Sequence, residues 1–231
     1  MSNASRYWNL VRLEPTGRSR NRELPPVKQF FVEEFSTVAD PIQNSSIQKI
    51  LVHLRQGLAG STSPPDRLAK STLAELSLRC FITSQIEQVC IQLELQFGEL
   101  HGFRRNDLLP FVLDDDGRVD LSQYQPFSCH ILNTFEPDRG SLTTWTIRLV
   151  KHHRELNQFL LECGVYLLSD WAILNDTTPR KLSRILSSFQ PLTSIEIEQA
   201  CQLLEAYHQV YRRDRLLQRQ SGTTGQCPPP S

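Results

Sequence analysis

The strongest structural signal in this chain is an apolar pattern of helical period between residues 66 and 97. Apolar side chains recur there at three- and four-residue steps from Leu68 to Phe97, while Glu75 and Arg79 occupy other faces of the same helix. The remaining sequence contains no alternating strand pattern of useful length and no internal repeat. We therefore predict an all-α fold, a multi-helix bundle.

Breaks in this pattern divide the 231 residues into predicted segments. Residues 1–28 are rich in arginine, serine and asparagine and predict a flexible basic arm, and residues 29–60 predict a small helical extension. Residues 66–219 contain the main helical bundle, and residues 220–231, rich in glycine, threonine and proline, predict a disordered tail. Six apolar residues are expected in the core: Leu76, Ile86, Leu93, Phe135, Leu149 and Leu203.

Composition indicates a globular protein of the reducing cytoplasm. Apolar residues make up 39% of the chain and the mean hydropathy is −0.35, which argues against disorder of the whole chain. The six cysteines are widely spaced and form no Cys-x-x-Cys pair. Neither an N-terminal apolar run nor an uncharged apolar stretch of about 18 residues occurs, so we expect no signal peptide, no transmembrane helix and no membrane partner.

The formal net charge of zero conceals an uneven charge distribution. Residues 81–138 contain 3 basic and 10 acidic side chains, whereas residues 139–231 contain 11 basic and 8 acidic ones. An acidic middle beside a mildly basic C-terminal part is compatible with one face that binds nucleic acid and another that repels it. Ordinary patchiness of a protein surface is the alternative interpretation.

One segment, residues 135–154, contains the clearest functional signal. Its sequence predicts the end of one helix at Phe135 and a turn at Pro137 and Gly140, because the residue before a proline disfavours the helical conformation. Ser141 can cap a second helix, which is predicted to run to Cys163.

This second helix begins with an aromatic residue and then becomes basic. Trp145, Arg148 and His152 lie at three- and four-residue steps and share a face, which Lys151 and Arg154 flank. An aromatic ring can stack on an unstacked base while cations neutralise phosphates, and each stacked base is worth about 1 to 3 kcal/mol. The pattern alone favours the alternative, in which Trp145 packs in the core beside a solvated basic face.

The same segment resembles the second conserved region of bacterial RNA polymerase sigma factors. There, the pattern F-D-P-x-R-G-x-F-x-T-W/Y joins the polymerase-binding helix to the helix that holds melted promoter DNA. Six residues stand at matching places: Phe135, Pro137, Arg139, Gly140, Thr144 and Trp145. The resemblance implies that promoter DNA is bound by Trp145, Arg148, Lys151, His152 and Arg154.

The resemblance extends more loosely over residues 106–188 and implies RNA polymerase as a second partner. The run from Asn106 to Leu109 resembles the D-L-x-Q start of the polymerase-binding helix. By this likeness Asp107, Leu108 and Phe111 would contact polymerase. Sigma factors have a polar pair where this chain has Pro110 and Phe111, so we expect a divergent relative.

Residues 169–186 predict two short helices that suit a helix-turn-helix. Ala172 is the small residue of the first helix, Thr178 can cap the second, and Pro179 suits its first position. The basic residues Arg180, Lys181 and Arg184 would then contact duplex DNA, at the place where sigma factors have their third region. Two helices joined by a turn are also common in any helical domain, which is the alternative.

Other chemistry finds little support in the sequence. Adjacent histidines at 152 and 153 point about 100° apart on a helix and suit one metal ion poorly. The run Asp114 to Gly117 lacks the first and last ligands of an EF-hand loop, and no Gly-rich nucleotide loop or nucleophile motif occurs. We therefore predict no metal site, no cofactor and no enzymatic activity.

Together these patterns predict a sigma-like, DNA-binding transcriptional regulator. The alternative is a helical protein–protein interaction module that has a sigma-like packing core and does not bind DNA.

Overall fold

The computed structural model describes residues 3–35, 44–57, 64–167 and 170–220, which form two compact units. The first unit ends at Tyr166 and the second begins at Leu167. The bundle expected over residues 66–219 is therefore divided.

The first unit contains a two-stranded sheet and eight of the helices, in chain order: β1 (Asn9–Leu13), β2 (Ser19–Glu23), α1 (Pro25–Phe35), α2 (Asn44–Arg55), α3 (Pro64–Leu93), α4 (Glu99–His101), α5 (Arg105–Val112), α6 (Phe127–Asn133), α7 (Leu142–Lys151) and α8 (Arg154–Glu162).

Helix α3 is the central element of the first unit. Every residue from Leu76 to Thr83 is buried, because neighbours cover this stretch on all sides. The elements packed against it are β1, α1, α2, α5, α6 and α7. The long helix expected over residues 66–97 is thus confirmed, together with the burial of Leu76, Ile86 and Leu93.

Beyond Leu93 the helical path continues without a break. Residues Glu94–Gly98 form a wider π-helical turn, and α4 then ends at Gly102, whose φ of 72° is left-handed. Gly98 is required by packing, since a Cβ atom there would lie 2.6 Å from the carbonyl oxygen of Phe103. The path therefore ends at Gly102, whereas Gly98 lies within it.

The flexible arm predicted for residues 1–28 is wrong. Residues Asn3–Tyr7 form a 3₁₀ helix, and β1 pairs with β2 in an antiparallel hairpin in which Asn9 faces Glu23 and Leu13 faces Ser19. The all-α prediction therefore holds for most of the chain but misses one small sheet. Strand β2 reads Ser-Arg-Asn-Arg-Glu, which contains no apolar residue, so its sequence gives no alternating pattern.

The hairpin is held against α3 by apolar burial and by backbone hydrogen bonds. Leu10 and Val11 are buried, and the Val11 N–H donates to Thr83 Oγ1 at 3.2 Å. Ser77 Oγ donates to the carbonyl oxygen of Tyr7 at 2.9 Å. These two α3 hydroxyls satisfy polar groups of the N-terminal segment that would otherwise be buried without partners.

Tyr7 joins the N-terminal segment to three helices. Its ring stacks between Phe31 of α1 and Phe81 of α3, with centroid distances of 5.1 and 5.0 Å. Its hydroxyl group is 3.3 Å from Asn44 Oδ1 and receives a hydrogen bond from Gln48 Nε2 at 3.4 Å. Burial raises the pKa of Tyr7 to about 12. The expected arm and helical extension are consequently parts of one core.

An ion pair between Arg79 and Asp115 lies at the centre of this unit. Both side chains are 1% exposed, and the contact is bidentate, with Nε to Oδ2 at 2.9 Å and Nη2 to Oδ1 at 2.5 Å. Arg79 Nη1 also donates to the carbonyl oxygen of Arg118 at 2.8 Å. The Asp115 carboxylate receives two more hydrogen bonds, from Ser128 Oγ and from the Gly117 N–H. The polar atoms of the pair are thus well satisfied, as burial of two charges requires.

The acidic run 114–117, expected only as a turn, organises the loop between α5 and α6. Asp114 accepts hydrogen bonds from the Phe127 N–H at 2.9 Å and from the Tyr124 hydroxyl group. This hydrogen bond raises the pKa of Tyr124 to about 12. Gly117 has a φ of 80°, and a Cβ atom there would lie 2.8 Å from Leu10 Cδ2. The loop therefore fixes the start of α6 and contacts the hairpin.

The second unit contains three helices: α9 (Asp170–Asp176), α10 (Pro179–Phe189) and α11 (Ser194–Gln220). The predicted cap of α10 is confirmed, since Thr178 Oγ1 accepts from the Lys181 N–H at 3.2 Å. At the start of α11, Glu196 accepts from the Thr193 N–H at 2.7 Å. Residues 221–231 of the expected tail lie outside the described residues, and so do residues 58–63.

Three of the six residues expected in the core are not fully buried. Phe135 and Leu149 are half-buried, and Leu203 is 74% exposed while its neighbour Leu204 is buried. The error at Leu203 follows from two adjacent leucines, because a periodic stripe alone does not decide which of them faces the partner helix. Across the described ranges, no helix is long and apolar enough to cross a membrane.

We predict that Asp115→Ala lowers the free energy of unfolding by about 3 to 5 kcal/mol, because it leaves the Arg79 charge buried without its partner. Asp116→Ala is the matched control. It removes a carboxylate one residue away that pairs with an exposed Arg118, and it should cost no more than about 1 kcal/mol. Urea unfolding of both variants measures the difference. Equal losses would show that the buried pair does not stabilise the fold.

Candidate nucleic-acid interface

The order of helix end, turn and helix expected around residue 137 is present. Helix α6 ends at Asn133, and the turn that follows contains an exposed ion pair between Arg139 and Glu136 at 2.7 Å. Ser141 is the N-cap of α7, as predicted, and its Oγ accepts from the Thr144 N–H at 3.1 Å. The local sequence therefore specifies both ends of the turn.

Helix α7 has a buried side and an exposed side. Leu142, Thr146 and Val150 are buried, and the helix packs against α3. Arg148 and Lys151 are exposed on the opposite side. Packing on the central helix thus determines which residues of α7 reach solvent.

Trp145 lies between these two sides. Its side chain is half-buried, and its Nε1 donates to Thr134 Oγ1 at 3.2 Å. The Arg148 guanidinium carbon lies 5.3 Å from the centroid of the indole ring, within cation–π range. One edge of the ring is therefore held by the end of α6, while one face contacts a cation. Trp145 is therefore not buried in the core, as the packing alternative expects, but partly accessible to solvent.

The single helix predicted from Ser141 to Cys163 is wrong. Helix α7 ends at Lys151, and α8 begins at Arg154 after an extended His153. His153 Nδ1 accepts from the Leu156 N–H at 3.4 Å and so caps α8. The break contains neither glycine nor proline, so the sequence gives no ordinary signal for it.

Side chains satisfy the carbonyl groups at this break. His152 Nδ1 donates to the carbonyl oxygen of Arg148 at 2.7 Å. Asn157 of α8 donates through Nδ2 to the carbonyl oxygen of Lys151 at 2.8 Å. The end of α7 is thus tied to the first turns of α8, and Arg154 belongs to the second helix although it lies close to the basic end of the first.

The predicted DNA-binding residues of this unit are exposed and poor in ionic partners. Arg148, Lys151, His152 and Arg154 are exposed, and no ion pair of these residues occurs within the described part of the chain. Other exposed cations of the unit do have acidic partners, namely Arg20 with Glu14, Lys70 with Glu34 and Arg118 with Asp116. The end of α7 and the start of α8 therefore present positive charge that no acidic side chain of the described residues pairs with.

The three residues predicted to contact polymerase differ in how far their side chains are exposed. Leu108 is fully buried, so the prediction that it contacts polymerase is wrong: α5 uses it to pack on α3. Asp107 is exposed, and its Oδ2 accepts from the N–H of Arg104, the N-cap of α5, at 2.8 Å. Phe111 is half-buried, with its ring 5.4 Å from that of Phe159.

In the second unit, Arg180, Lys181 and Arg184 are exposed on the first turns of α10. None of the three has an ion pair with another described residue. Arg180 and Arg184 are four residues apart and share a face of the helix. Helices α9 and α10 are the two short helices that the sequence predicts here, while their packing as a helix-turn-helix and DNA binding by them stay predictions.

Sequence reasoning missed a polar groove between the hairpin and α3. This cavity of about 400 Å³ is lined by five carboxamide side chains, those of Asn9, Asn21, Gln85, Gln88 and Gln92. Because the hairpin itself was not predicted, no sequence pattern brought these residues together. In the described residues, no group of three or more histidine, cysteine or acidic side chains is placed to hold a metal ion.

Comparison of the chain with protein-family models, with curated proteins and with solved structures gives no significant match. The functional interpretation therefore depends on the residues and contacts described above.

The His153 cap makes the α7–α8 break sensitive to pH. Burial lowers the pKa of His153 below its ordinary value of 6.5, an effect that Glu155 and Asp114 partly oppose. The unfolded chain therefore binds the proton first, so this residue's contribution to stability is present above about pH 6.5 and is lost as the pH falls through the folded-state pKa.

We predict that His153→Asn removes this component of the pH dependence, because asparagine is a good N-cap and does not titrate. Urea unfolding at pH 7.5 and at pH 5.5 measures the effect: the stability lost on acidification should be smaller in the variant. His152→Asn, which removes the neighbouring histidine that caps no helix start, should lose as much as the unaltered protein. A His153→Asn variant with unchanged pH dependence would contradict the role of this cap.

Proposed function

We propose that this protein is a sigma-like, non-enzymatic transcriptional regulator that binds DNA through the exposed end of α7. The observation behind the proposal is the pair of Trp145 and Arg148, an indole ring with a guanidinium group over it, beside uncompensated cations at Lys151 and Arg154. The order of these residues after the turn at Pro137 and Gly140 is also the order found in the sigma-factor region that holds melted promoter DNA.

The chemistry of the pair favours a single strand over a duplex. An unstacked base can take the indole face that Arg148 now covers, and the guanidinium group can then move to the adjacent phosphate. In a closed duplex the bases remain stacked on each other and offer no face to the ring. Trp145 would therefore favour melted DNA, whereas Lys151, His152 and Arg154 would add affinity for phosphates without reading sequence.

The backbone around the break also favours an anion. The C-terminal end of a helix repels phosphate through its free carbonyl groups. At the end of α7, the carbonyl oxygens of Arg148 and Lys151 already accept from His152 and Asn157. The N-terminus of α8 begins within three residues, at Arg154, so its positive end lies close to the same surface.

In this proposal the second unit supplies duplex contacts through Arg180, Lys181 and Arg184. RNA polymerase is the proposed protein partner. Because Leu108 is buried, that contact would involve Asp107 and the accessible part of Phe111.

The second candidate function is a helical protein–protein interaction module. It is favoured by apolar side chains that the second unit exposes, with Phe189 at 78% and Leu203 at 74% exposure. Large apolar side chains that lie exposed on a folded unit are typical of surfaces that bind proteins.

We predict that the triple variant Arg148→Ala, Lys151→Ala, Arg154→Ala weakens DNA binding and lowers its dependence on salt. Each lost phosphate contact should reduce the slope of log affinity against log salt by about 0.7 to 0.9. Fluorescence anisotropy with a labelled single strand, titrated at several salt concentrations, measures both effects. Thermal stability should change little, since exposed charges contribute little to folding.

The matched control for this experiment is Arg20→Ala, Lys70→Ala, Arg118→Ala. It removes the same number of positive charges from the same unit, but at residues whose charge is paired. We expect it to retain most of the affinity. Equal losses in the two triple variants would indicate a nonspecific effect of net charge, and unaltered affinity in the first would favour the interaction module.

For Trp145 we predict a specific loss on single-stranded DNA. Trp145→Ala should weaken single-strand binding by about 1 to 3 kcal/mol, the range of base stacking on an aromatic ring, and should affect duplex binding less. Trp145→Phe retains an aromatic face and should recover part of the affinity. In protein whose other tryptophans, Trp8 and Trp171, are replaced by phenylalanine, single-stranded DNA should quench the Trp145 emission. Trp145 fluorescence that does not change when DNA is added would contradict base stacking.

A further inference from the structure

The polar groove between the hairpin and α3 has hydrogen-bonding groups that the described protein does not use. We call it the carboxamide groove after the five side chains that line it: Asn9, Asn21, Gln85, Gln88 and Gln92. None of these five carboxamides forms a hydrogen bond with another described residue. Carboxamides elsewhere do find partners, as Gln48 does with Tyr7 and Gln158 with Glu162. The donors and acceptors of the groove are therefore available to a ligand.

Gln85 is the most deeply placed of the five. It is only 6% exposed, yet no described residue hydrogen-bonds its carboxamide. In the described part of the chain, the one enclosed side-chain atom that lacks a hydrogen-bond partner is Arg12 Nε. The amide atoms of Gln85 are thus not sealed within the protein but open into the groove that they line. A buried amide without a hydrogen bond costs free energy, and a ligand in the groove would satisfy it.

The amides are spaced for an extended chain. Three of them share one face of α3 at steps of three and four residues: Gln85, Gln88 and Gln92. Seven residues of helix rise about 10 Å, which is the length of about three residues of a β-strand. On the other wall, Asn9 and Asn21 lie on the same face of the hairpin, because Asn21 pairs with Val11, two residues beyond Asn9. Both walls therefore present amides along the groove.

The chemistry of these amides favours a peptide backbone as the ligand. In an extended chain the N–H and C=O groups of one residue point to the same side, as they do when antiparallel strands exchange two hydrogen bonds. A carboxamide offers the complementary pair, an NH₂ donor and a C=O acceptor. Among the described residues that line the groove, none is aromatic, so a nucleobase would find no ring on which to stack.

The charges at the groove favour an uncharged ligand. The charged residues among the described lining are Arg6 and Glu87, whose formal charges cancel. The Arg6 guanidinium carbon lies 5.5 Å from the centroid of the Phe81 ring, and Glu87 Oε1 accepts from Ser19 Oγ at 2.5 Å. Both charges thus have contacts within the protein, and the neutral amides are the groups that a ligand would meet.

We propose that the carboxamide groove binds an extended, uncharged peptide segment of a partner protein through the backbone of that segment. Amides of α3 and of the hairpin bond the N–H and C=O groups of about three peptide residues. The groove volume of about 400 Å³ lies within the range of about 300 to 1,000 Å³ that is usual for ligand pockets. The site uses none of the residues proposed to contact DNA, so it does not depend on that function.

Nuclear magnetic resonance of the isotope-labelled full chain tests the proposal, because the side-chain NH₂ groups of asparagine and glutamine give signals of their own. The probe is trialanine with both ends capped, an uncharged peptide. We expect the NH₂ signals of Gln85 and Gln88 to shift and to saturate at millimolar peptide. Trialanine with methylated amide nitrogens is the matched control, since it lacks the backbone donors, and it should shift neither signal. Equal shifts with both peptides, or no shift with the first, would overturn the proposal.

Variants of α3 and other probes test the place and the class of the ligand. Gln88→Ala should raise the dissociation constant of trialanine by about three- to tenfold, the net effect of one hydrogen bond. Gln96→Ala is the control: it removes an exposed glutamine further along the same helical path, outside the groove, and should leave the constant unchanged. Equal constants for the two variants would contradict binding in the groove. Shifts caused by maltotriose or adenosine but not by trialanine would replace the peptide with a saccharide or a nucleobase.

Gln85→Met tests whether the buried amide serves binding or folding. Methionine has a similar length but no amide, so the variant should unfold at an equal or higher urea concentration while it binds trialanine more weakly. Gln48→Met is the control, since Gln48 is also buried but its amide bonds Tyr7, and this variant should lose stability. A Gln85→Met protein that is less stable than the unaltered one would show that the amide serves the fold, against the proposal.

Discussion

The buried ion pair of Arg79 and Asp115 is the interaction on which the first unit depends. Arg79 lies in the fully covered middle of α3, and its charge is tolerated there only because Asp115 and the Arg118 carbonyl group satisfy it. Asp115 belongs to the loop that precedes α6, so the pair fixes that loop on the central helix. The orientation of α6 in turn sets the position of Thr134, whose hydroxyl group holds Trp145. A charge pair in the core is thereby connected, through a loop and a short helix, to the candidate interface.

Sequence reasoning succeeded where the signal is local. Ser141 and Thr178 were identified as capping residues because a cap needs only one side chain and the next turn of backbone. The central helix was identified because its apolar period is long. Arg79 was assigned to a solvent face, since the residue that neutralises it lies 36 positions away and no local pattern connects them. The hairpin was missed for the same reason: its stability comes from α3 and not from its own polar strand.

At the candidate interface, too, features with a local sequence signal were predicted and features that depend on contacts between elements were not. Arg148 and Lys151 were expected on an exposed face of the helix because they follow from the period of α7, and both are exposed. The break after Lys151 was not foreseen, since it depends on His153 and Asn157, two residues with no strong tendency to end a helix. Two short helices joined by side-chain hydrogen bonds hold the basic residues in a fixed bend, which a single straight helix would spread over a longer surface.

The contact between Leu10 and Gly117 joins points about a hundred residues apart in the sequence. The hairpin precedes α3 and the loop in the sequence, so during synthesis it is made before the residues that cover it. The apolar face that the hairpin buries in the folded protein therefore stays uncovered until residue 117 has been made. Completion of the core around β1 therefore requires residue 117 to have been made, however fast the hairpin itself can form.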